Sequence, residues 1–234
     1  MWLFSENITC THGFSTRHGG ISPAPFDTLN LGGSEDTRSN IEHNRTLALQ
    51  ALHLSMENLC FLKQVHGSTV CMASPGQQEG DALVSDQKNL ALAISIADCY
   101  PVLFHDAVNG VIGAAHAGWR GTVAEIPARV MERMIALGAN PQTTMVAIGQ
   151  GISQARFEVG SEVLEQFEKN GFPDTCWNKN HLDLIKCNIF TLQKSGIPLK
   201  NIRAMNRCTF EHDFFSYRRD KGLTGRMWAV IAMK

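Results

Sequence analysis

The chain has 234 residues, 44% hydrophobic and 18% charged, which is enough to bury a sizeable core and too apolar for a disordered chain. Its formal net charge of −1 supplies no field to draw it to nucleic acid or an acidic membrane surface. The longest apolar stretch, Leu90 to Ala97, is too short to span a bilayer. The N-terminus has neither the basic start nor the unbroken apolar run of a secretory signal, so a cytoplasmic protein is expected.

Residues Gly13 to Ser34 are rich in Gly, Asn, Ser and Pro and read as extended strand and ordered loop. A helix is expected from Asp36 or Ser39, because Ile41, the Arg45 stem, Ala48, Leu49 and Leu52 recur close to every 3.6 residues. The centre is dense in short apolar runs separated by turn residues. Cys60 to Val65, Asp81 to Val84, Leu90 to Ala97, Val102 to His105 and Val111 to Ala117 are expected strands, and Asn109-Gly110 reverses the chain between the last two. Val123 to Leu137 reads as a helix with Val123, Ile126, Val130, Met131 and Met134 on one face; Pro127 must lie in its first turn or kink it. Thr144 to Ile148 is a further strand. Helices are expected over Ser161 to Lys169, capped by Ser161, and over Leu184 to Lys194, ended by Gly196. Ile202 to Thr209 and Met227 to Ala232 look like closing strands. The elements interleave without a regular βαβ period, which predicts a mixed α/β fold with helices packed on mixed sheets.

Two junctions in the centre bear on chemistry. Leu90 to Ala97 runs into Asp98-Cys99, and Val111 to Ala115 runs into His116-Ala-Gly118-Trp119-Arg120. Gln64-Val-His66-Gly67 ends a third run in the same way, and polar residues at a strand end are well placed for a site. In a hairpin around Asp106 to Gly110, an odd sum of paired residue numbers puts Cys99 and His116 on one face, and an even sum separates them. One thiol and two imidazoles suit zinc, or copper(I), and three protein ligands with an open fourth position are the pattern of catalytic zinc. Against this, a lone buried cysteine is usually packing, and a lone histidine is usually a hydrogen-bonded core or surface residue. His12, His43, His53, His105, His181 and His212 have no comparable setting, and the seven cysteines include no CxxC pair.

Arginines form a second set. Arg17 lies in Phe14-Ser-Thr-Arg-His-Gly-Gly, Arg120 follows the His116 motif, and Phe214-Phe-Ser-Tyr-Arg218-Arg219 is followed by Arg226. Glycines beside arginine let backbone N–H groups and guanidinium converge on an oxyanion such as phosphate, whereas the plain alternative is solvated surface charge.

Taken in order, Phe14-Ser-Thr-Arg-His-Gly-Gly, Gln64-Val-His-Gly, Asp81-Ala-Leu-Val, Ala97-Asp-Cys, Pro101-Val-Leu-Phe, His116-Ala-Gly-Trp-Arg-Gly, Phe157-Glu-Val-Gly, Cys208-Thr and Phe214-Phe-Ser-Tyr-Arg-Arg resemble the bacterial laccase-domain or polyphenol oxidase family. Its members are also described as zinc-dependent purine nucleoside phosphorylases. The resemblance runs from about residue 14 to the C-terminus. It implies a single domain over residues 1–234 and an α/β sandwich similar to the cytotoxic necrotising toxins. It implies zinc on His66, Cys99 and His116, and phosphorolysis of adenosine, inosine, guanosine and methylthioadenosine, with adenosine deamination besides. The partners are then nucleoside and phosphate. Arg17, Asp98 and Arg120 are the candidate substrate or phosphate residues: Arg17 to orient phosphate, Asp98 to shuttle protons. One departure is Gln150, where the family commonly has Pro. Nine histidines with no His-x-His pair argue against a multicopper relay. Three other readings stand beside this one: a cysteine hydrolase or amidase using Cys99 and His116, a copper polyphenol oxidase, and a metal-binding protein without activity.

Overall fold

The computed structural model describes residues 1–33 and 35–234; Ser34, the last residue of the expected N-terminal loop, lies outside the described residues. In chain order the elements are β1 (Trp2–Leu3), β2 (Thr11–Ser15), α1 (Arg38–Gln50), β3 (Leu59–Lys63), β4 (Val70–Met72), β5 (Gly76–Glu79), β6 (Ala82–Ser85), β7 (Ala91–Ile96), β8 (Tyr100–Asp106) and β9 (Val111–Ala117). There follow α2 (Trp119–Val123), α3 (Ile126–Ala136), β10 (Met145–Ile148), α4 (Ser161–Lys169), β11 (Trp177–Asn178), β12 (His181–Leu182), α5 (Leu184–Lys194), β13 (Ile202–Ala204) and β14 (Met227–Ala232).

Two mixed six-stranded sheets, in the orders β1-β2-β14-β7-β3-β5 and β13-β10-β8-β9-β6-β4, pack face to face. Alternation along single strands explains the layers. Leu92 and Ile94 of β7 and Ala229 and Ile231 of β14 point into the space between the sheets, where Leu103, Ile112 and Ala147 of the second sheet meet them. The intervening Ala91, Ala93, Trp228 and Val230 face outward and are covered by Ala48 and Leu49 of α1. On the far side Val102, Phe104 and Val146 are covered by Val130 and Met134 of α3 and Leu184 and Leu192 of α5. Strands buried on both faces have no polar side to show, which is why the central segments read as continuous apolar runs. The result is a mixed α/β sandwich, as expected.

Differences are local. The helix expected from Val123 starts at Ile126 as α3; Val123 instead ends a separate short helix, α2, because Glu125 sits in the left-handed region (φ 57°) and breaks the hydrogen-bond ladder between them. Pro127 falls in the first turn of α3, where its missing N–H costs nothing. Gly160, not Ser161, caps α4, and Ser161 is its first helical residue. The expected strand Ile202 to Thr209 stops at Ala204; the chain then leaves the sheet edge, and further along Tyr217 and Arg218 line the site. Asn44 of α1 is buried, accepts the Ile21 N–H, and donates to Ser22 and the carbonyls of Thr28 and Asn30, so the helix organises the loop before it.

Candidate metal and substrate site

β8 and β9 form the expected hairpin, with Tyr100 opposite Ala117 and Pro101 opposite His116. The paired numbers sum to 217, an odd value. Cys99 stands two residues before Pro101 and therefore shares a face with His116. His66 arrives from the turn after β3 in a left-handed conformation (φ 59°), and its ring lies edge-on to that of His116, with centroids 4.8 Å apart. The ligand atoms of His66, Cys99 and His116 all lie within 4.8 Å of one another. Gly118 makes room for this cluster: a Cβ there would stand 2.8 Å from Cys99 Sγ.

Asp81, immediately before β6, holds two of the three in place. Its buried carboxylate accepts the backbone N–H of Val65 (3.3 Å), His66 (3.0 Å) and Gly67 (2.7 Å) and pairs with His116 Nδ1 at 2.9 Å. That contact fixes the imidazole and turns Nε2 toward Cys99, the arrangement by which carboxylates orient metal-binding histidines. Burial favours the neutral acid, yet the His116 and Gly67 hydrogen bonds hold Asp81 below the usual carboxylate range. Burial also disfavours the Cys99 thiolate, but His116 and then His66 draw its pKa down to about 6. Burial opposes the imidazolium of His116, while the Cys99 charge and Asp81 raise it to about 9. Two nitrogens, a thiolate poised to form and a carboxylate behind one histidine fit a borderline-soft metal ion.

This electrostatic pair gives a measurable consequence. Between about pH 6 and about pH 9 Cys99 and His116 together hold one proton, which a metal ion must displace. Zinc binding at pH 7.5 should therefore release about one proton from this pair, approaching two below pH 6 and none above pH 9. Calorimetry in buffers of different ionisation enthalpy measures the number. A proton release that stays constant from pH 5 to 10 would contradict the linkage.

The cluster lies in a cavity of about 740 Å³, lined also by Gln64, Asp98, Trp119, Arg120, Phe157, Tyr217, Arg218 and Arg226. Each of the three arginines lies over an aromatic ring: Arg120 on Trp119 at 4.3 Å, Arg218 on Phe157 at 5.4 Å and Arg226 on Tyr217 at 5.8 Å. None of the three forms a salt bridge among the described residues. Gln64 pairs both amide atoms with the backbone of Ser95, which extends β3 toward the turn that carries His66.

Arg17 is a correction. It does not line the cavity: its guanidinium donates to the Asp27 carbonyl at 2.7 Å, pairs with the Asp27 carboxylate at 3.0 Å and lies 4.6 Å from the Phe215 ring centroid. Gly19 and Gly20 beside it donate their N–H groups to Thr28 Oγ1 and so serve the same loop. Asp98 and Arg120 do reach the cavity, but Asp98 is buried with its carboxylate bonded to Thr209, Ser216 and the Arg218 N–H. Sequence reasoning assigns no role to Asp81, although it opens an apolar strand and one of the motifs that carry the resemblance. It marks the aromatic-arginine run but gives Arg218 and Arg226 no place in the site. Gln150 is buried, donates to the Ser15 carbonyl at 2.9 Å, and leaves Oε1 without a partner among the described residues.

A family model described as multi-copper polyphenol oxidoreductase laccase matches residues 11–234. The chain belongs to this family. Within the laccase-type family it is 43% identical to a purine nucleoside phosphorylase of Deinococcus radiodurans, over 99% of this chain and 92% of that one. It is 35% identical to a purine nucleoside phosphorylase of Bacteroides thetaiotaomicron, over 97% and 93%. The crystal structure of YlmD from Geobacillus stearothermophilus superposes with a TM-score of 0.95 at 31% identity, covering 100% of this chain and 96% of that one. No helix among the described residues is long and apolar enough to cross a membrane.

Proposed function

We propose that the protein is a zinc-dependent purine nucleoside phosphorylase acting on adenosine, inosine, guanosine and methylthioadenosine, with adenosine deamination at the same site. The observation that carries this reading is the convergence of a His-Cys-His donor set with three arginines free of salt bridges in one cavity. The names of the laccase-type relatives support the activity. A volume of about 740 Å³ suits a nucleoside with phosphate beside it, within the roughly 300–1,000 Å³ of small-molecule sites. Zinc, when bound by His66, Cys99 and His116, supplies a Lewis acid at the floor of the cavity. Arg120, Arg218 and Arg226 hold the phosphate against the anomeric carbon, and Phe157, Ile152 and Leu62 give the base an apolar wall. The one three-donor set found among the described residues favours one metal over a multicopper relay. Seven free cysteines agree with a cytoplasmic setting.

Incubating the metal-replete protein with inosine over a range of phosphate concentrations, and separating the products, tests the assignment. Hypoxanthine and ribose 1-phosphate should form together and only with phosphate; their absence would end this reading. Arg218→Ala should raise the phosphate KM roughly ten- to a hundred-fold through loss of a charge-assisted contact, with a much smaller effect on adenosine deamination. Arg17→Ala should lower the melting temperature and leave the phosphate KM within about threefold, because its guanidinium serves a loop.

One observation favours a second reading. Asp81, His116 and Cys99 stand in the order acid, imidazole, thiol of a cysteine hydrolase, with the thiol pKa drawn down to about 6. A strong chelator separates the two: phosphorolysis should stop and return with zinc, whereas a cysteine nucleophile keeps working and is silenced by iodoacetamide.

A further inference from the structure

We infer that Asp98 is a positioning residue for the substrate, a latch that ties the cavity wall bearing Tyr217 and Arg218 to the strand end that presents Cys99. The inference rests on reading the cavity as the nucleoside and phosphate site. Asp98 joins β7 to β8 in a left-handed conformation (φ 89°), which Asn and Asp tolerate better than other L residues. The turn aims its backbone carbonyl at the Ile152 N–H, 2.8 Å away, and its carboxylate at the C-terminal loop.

That carboxylate is fully engaged. Oδ1 accepts hydrogen bonds from Thr209 Oγ1 at 2.5 Å and Ser216 Oγ at 2.7 Å; Oδ2 accepts the Arg218 N–H at 2.7 Å. Short bonds from three donors to one buried carboxylate are strong, and they occupy both of the oxygens that would otherwise face a substrate. The loop's own shape comes from elsewhere. The Arg219 guanidinium donates to the carbonyls of Thr209, Glu211 and Phe214 and pairs with Asp220. Arg219 therefore shapes the loop, while Asp98 sets where the loop stands relative to Cys99. The Arg218 guanidinium donates to the Glu158 carbonyl at 3.1 Å, while the backbone that carries it is held by Asp98 through the Arg218 N–H.

Three variants test this: Asp98→Ala, Asp98→Asn and Thr209→Val, each assayed for zinc content, phosphate KM, kcat against pH, and amide hydrogen exchange over residues 209–218. Asp98→Ala should speed exchange in that segment and raise the phosphate KM about tenfold or more, with zinc retained. Asp98→Asn should recover most of this, to within about threefold of wild type, because its amide oxygen can accept the Arg218 N–H while its NH₂ faces hydroxyl oxygens that also accept. Thr209→Val keeps about the volume of a fully buried side chain and removes one of the three bonds to Asp98, so its KM should fall between the two; it carries the test if Asp98→Ala does not fold. Asp98→Asn as inactive as Asp98→Ala, with a lost pH limb in kcat, would make Asp98 an acid or base and overturn the latch. Unchanged exchange in Asp98→Ala would overturn it too. A wild-type protein without phosphate-dependent turnover would remove the nucleoside reading alone, and the exchange data would still decide the latch.

Discussion

Cys99→Ala is expected to give a folded protein that retains almost no zinc and no measurable nucleoside turnover. The thiolate is one of three donors whose ligand atoms lie within 4.8 Å, and no other cysteine belongs to that group. Loss of an outer partner of a metal ligand already costs about 10–100-fold in affinity, so loss of a ligand itself should exceed that. The fold should survive because Cys99 is half-buried at the mouth of a strand and contributes little to the core between the sheets. A stability change of about 1 kcal/mol is the usual outcome of such a change. Zinc by elemental analysis, thermal melting by circular dichroism and product separation measure the three quantities. Full turnover by a zinc-free Cys99→Ala protein would eliminate both the metal and the cysteine-nucleophile mechanisms at once.

The second large effect concerns a residue that never touches the cavity's contents. Asp81→Asn should destabilise the zinc-free protein by about 3 kcal/mol or more and weaken zinc binding by about 10–100-fold. Both carboxylate oxygens face donors: Oδ1 meets the His66 N–H and His116 Nδ1, and Oδ2 meets the N–H groups of Val65 and Gly67. Whichever way an asparagine turns, its NH₂ confronts one of those pairs, and a fully buried site gives it no water to bond instead. The same logic fixes the pH direction. The folded pKa of Asp81 is lowered, so its contribution to stability is complete above the unfolded carboxylate range, near 3.9, and is lost as pH falls through the folded value. Denaturant titration of the zinc-free form and competition with a chromogenic chelator read the two effects. An Asp81→Asn protein as stable and as tight for zinc as wild type would mean that the 65–67 turn and His116 are held by other groups.

What the sequence determined by itself was the kind of element at most positions and the residues at which chemistry is concentrated. Ile41, Ala48 and Leu49 repeat at helical spacing and do form the buried face of α1. The central strands needed no such periodicity to be legible. Leu90 to Ala97 and Val111 to Ala117 are apolar on both faces, and each runs into or ends within a residue or two of a polar group. His66, Cys99 and His116 were legible as strand-end residues, since polar side chains that interrupt apolar runs stand out in one dimension. Their convergence was not. It depended on a hairpin register summing to 217, and on packing that brings the turn after β3 onto the end of β9. A register shift of one residue reverses every side chain and leaves the composition untouched.

The tertiary structure alone decided which charged residues line the cavity. Arg17 and Arg218 look alike in sequence, each beside small or aromatic residues, yet one is spent on Asp27 across a loop and the other lines the cavity. Asp81 and Asp98 are single acids next to apolar strands, and their partners lie 14 to 35 and 111 to 120 residues away along the chain. Local patterns report what a residue can do with its near neighbours. The value of a buried carboxylate is set by the donors that surround it, and those donors are assembled by long-range packing.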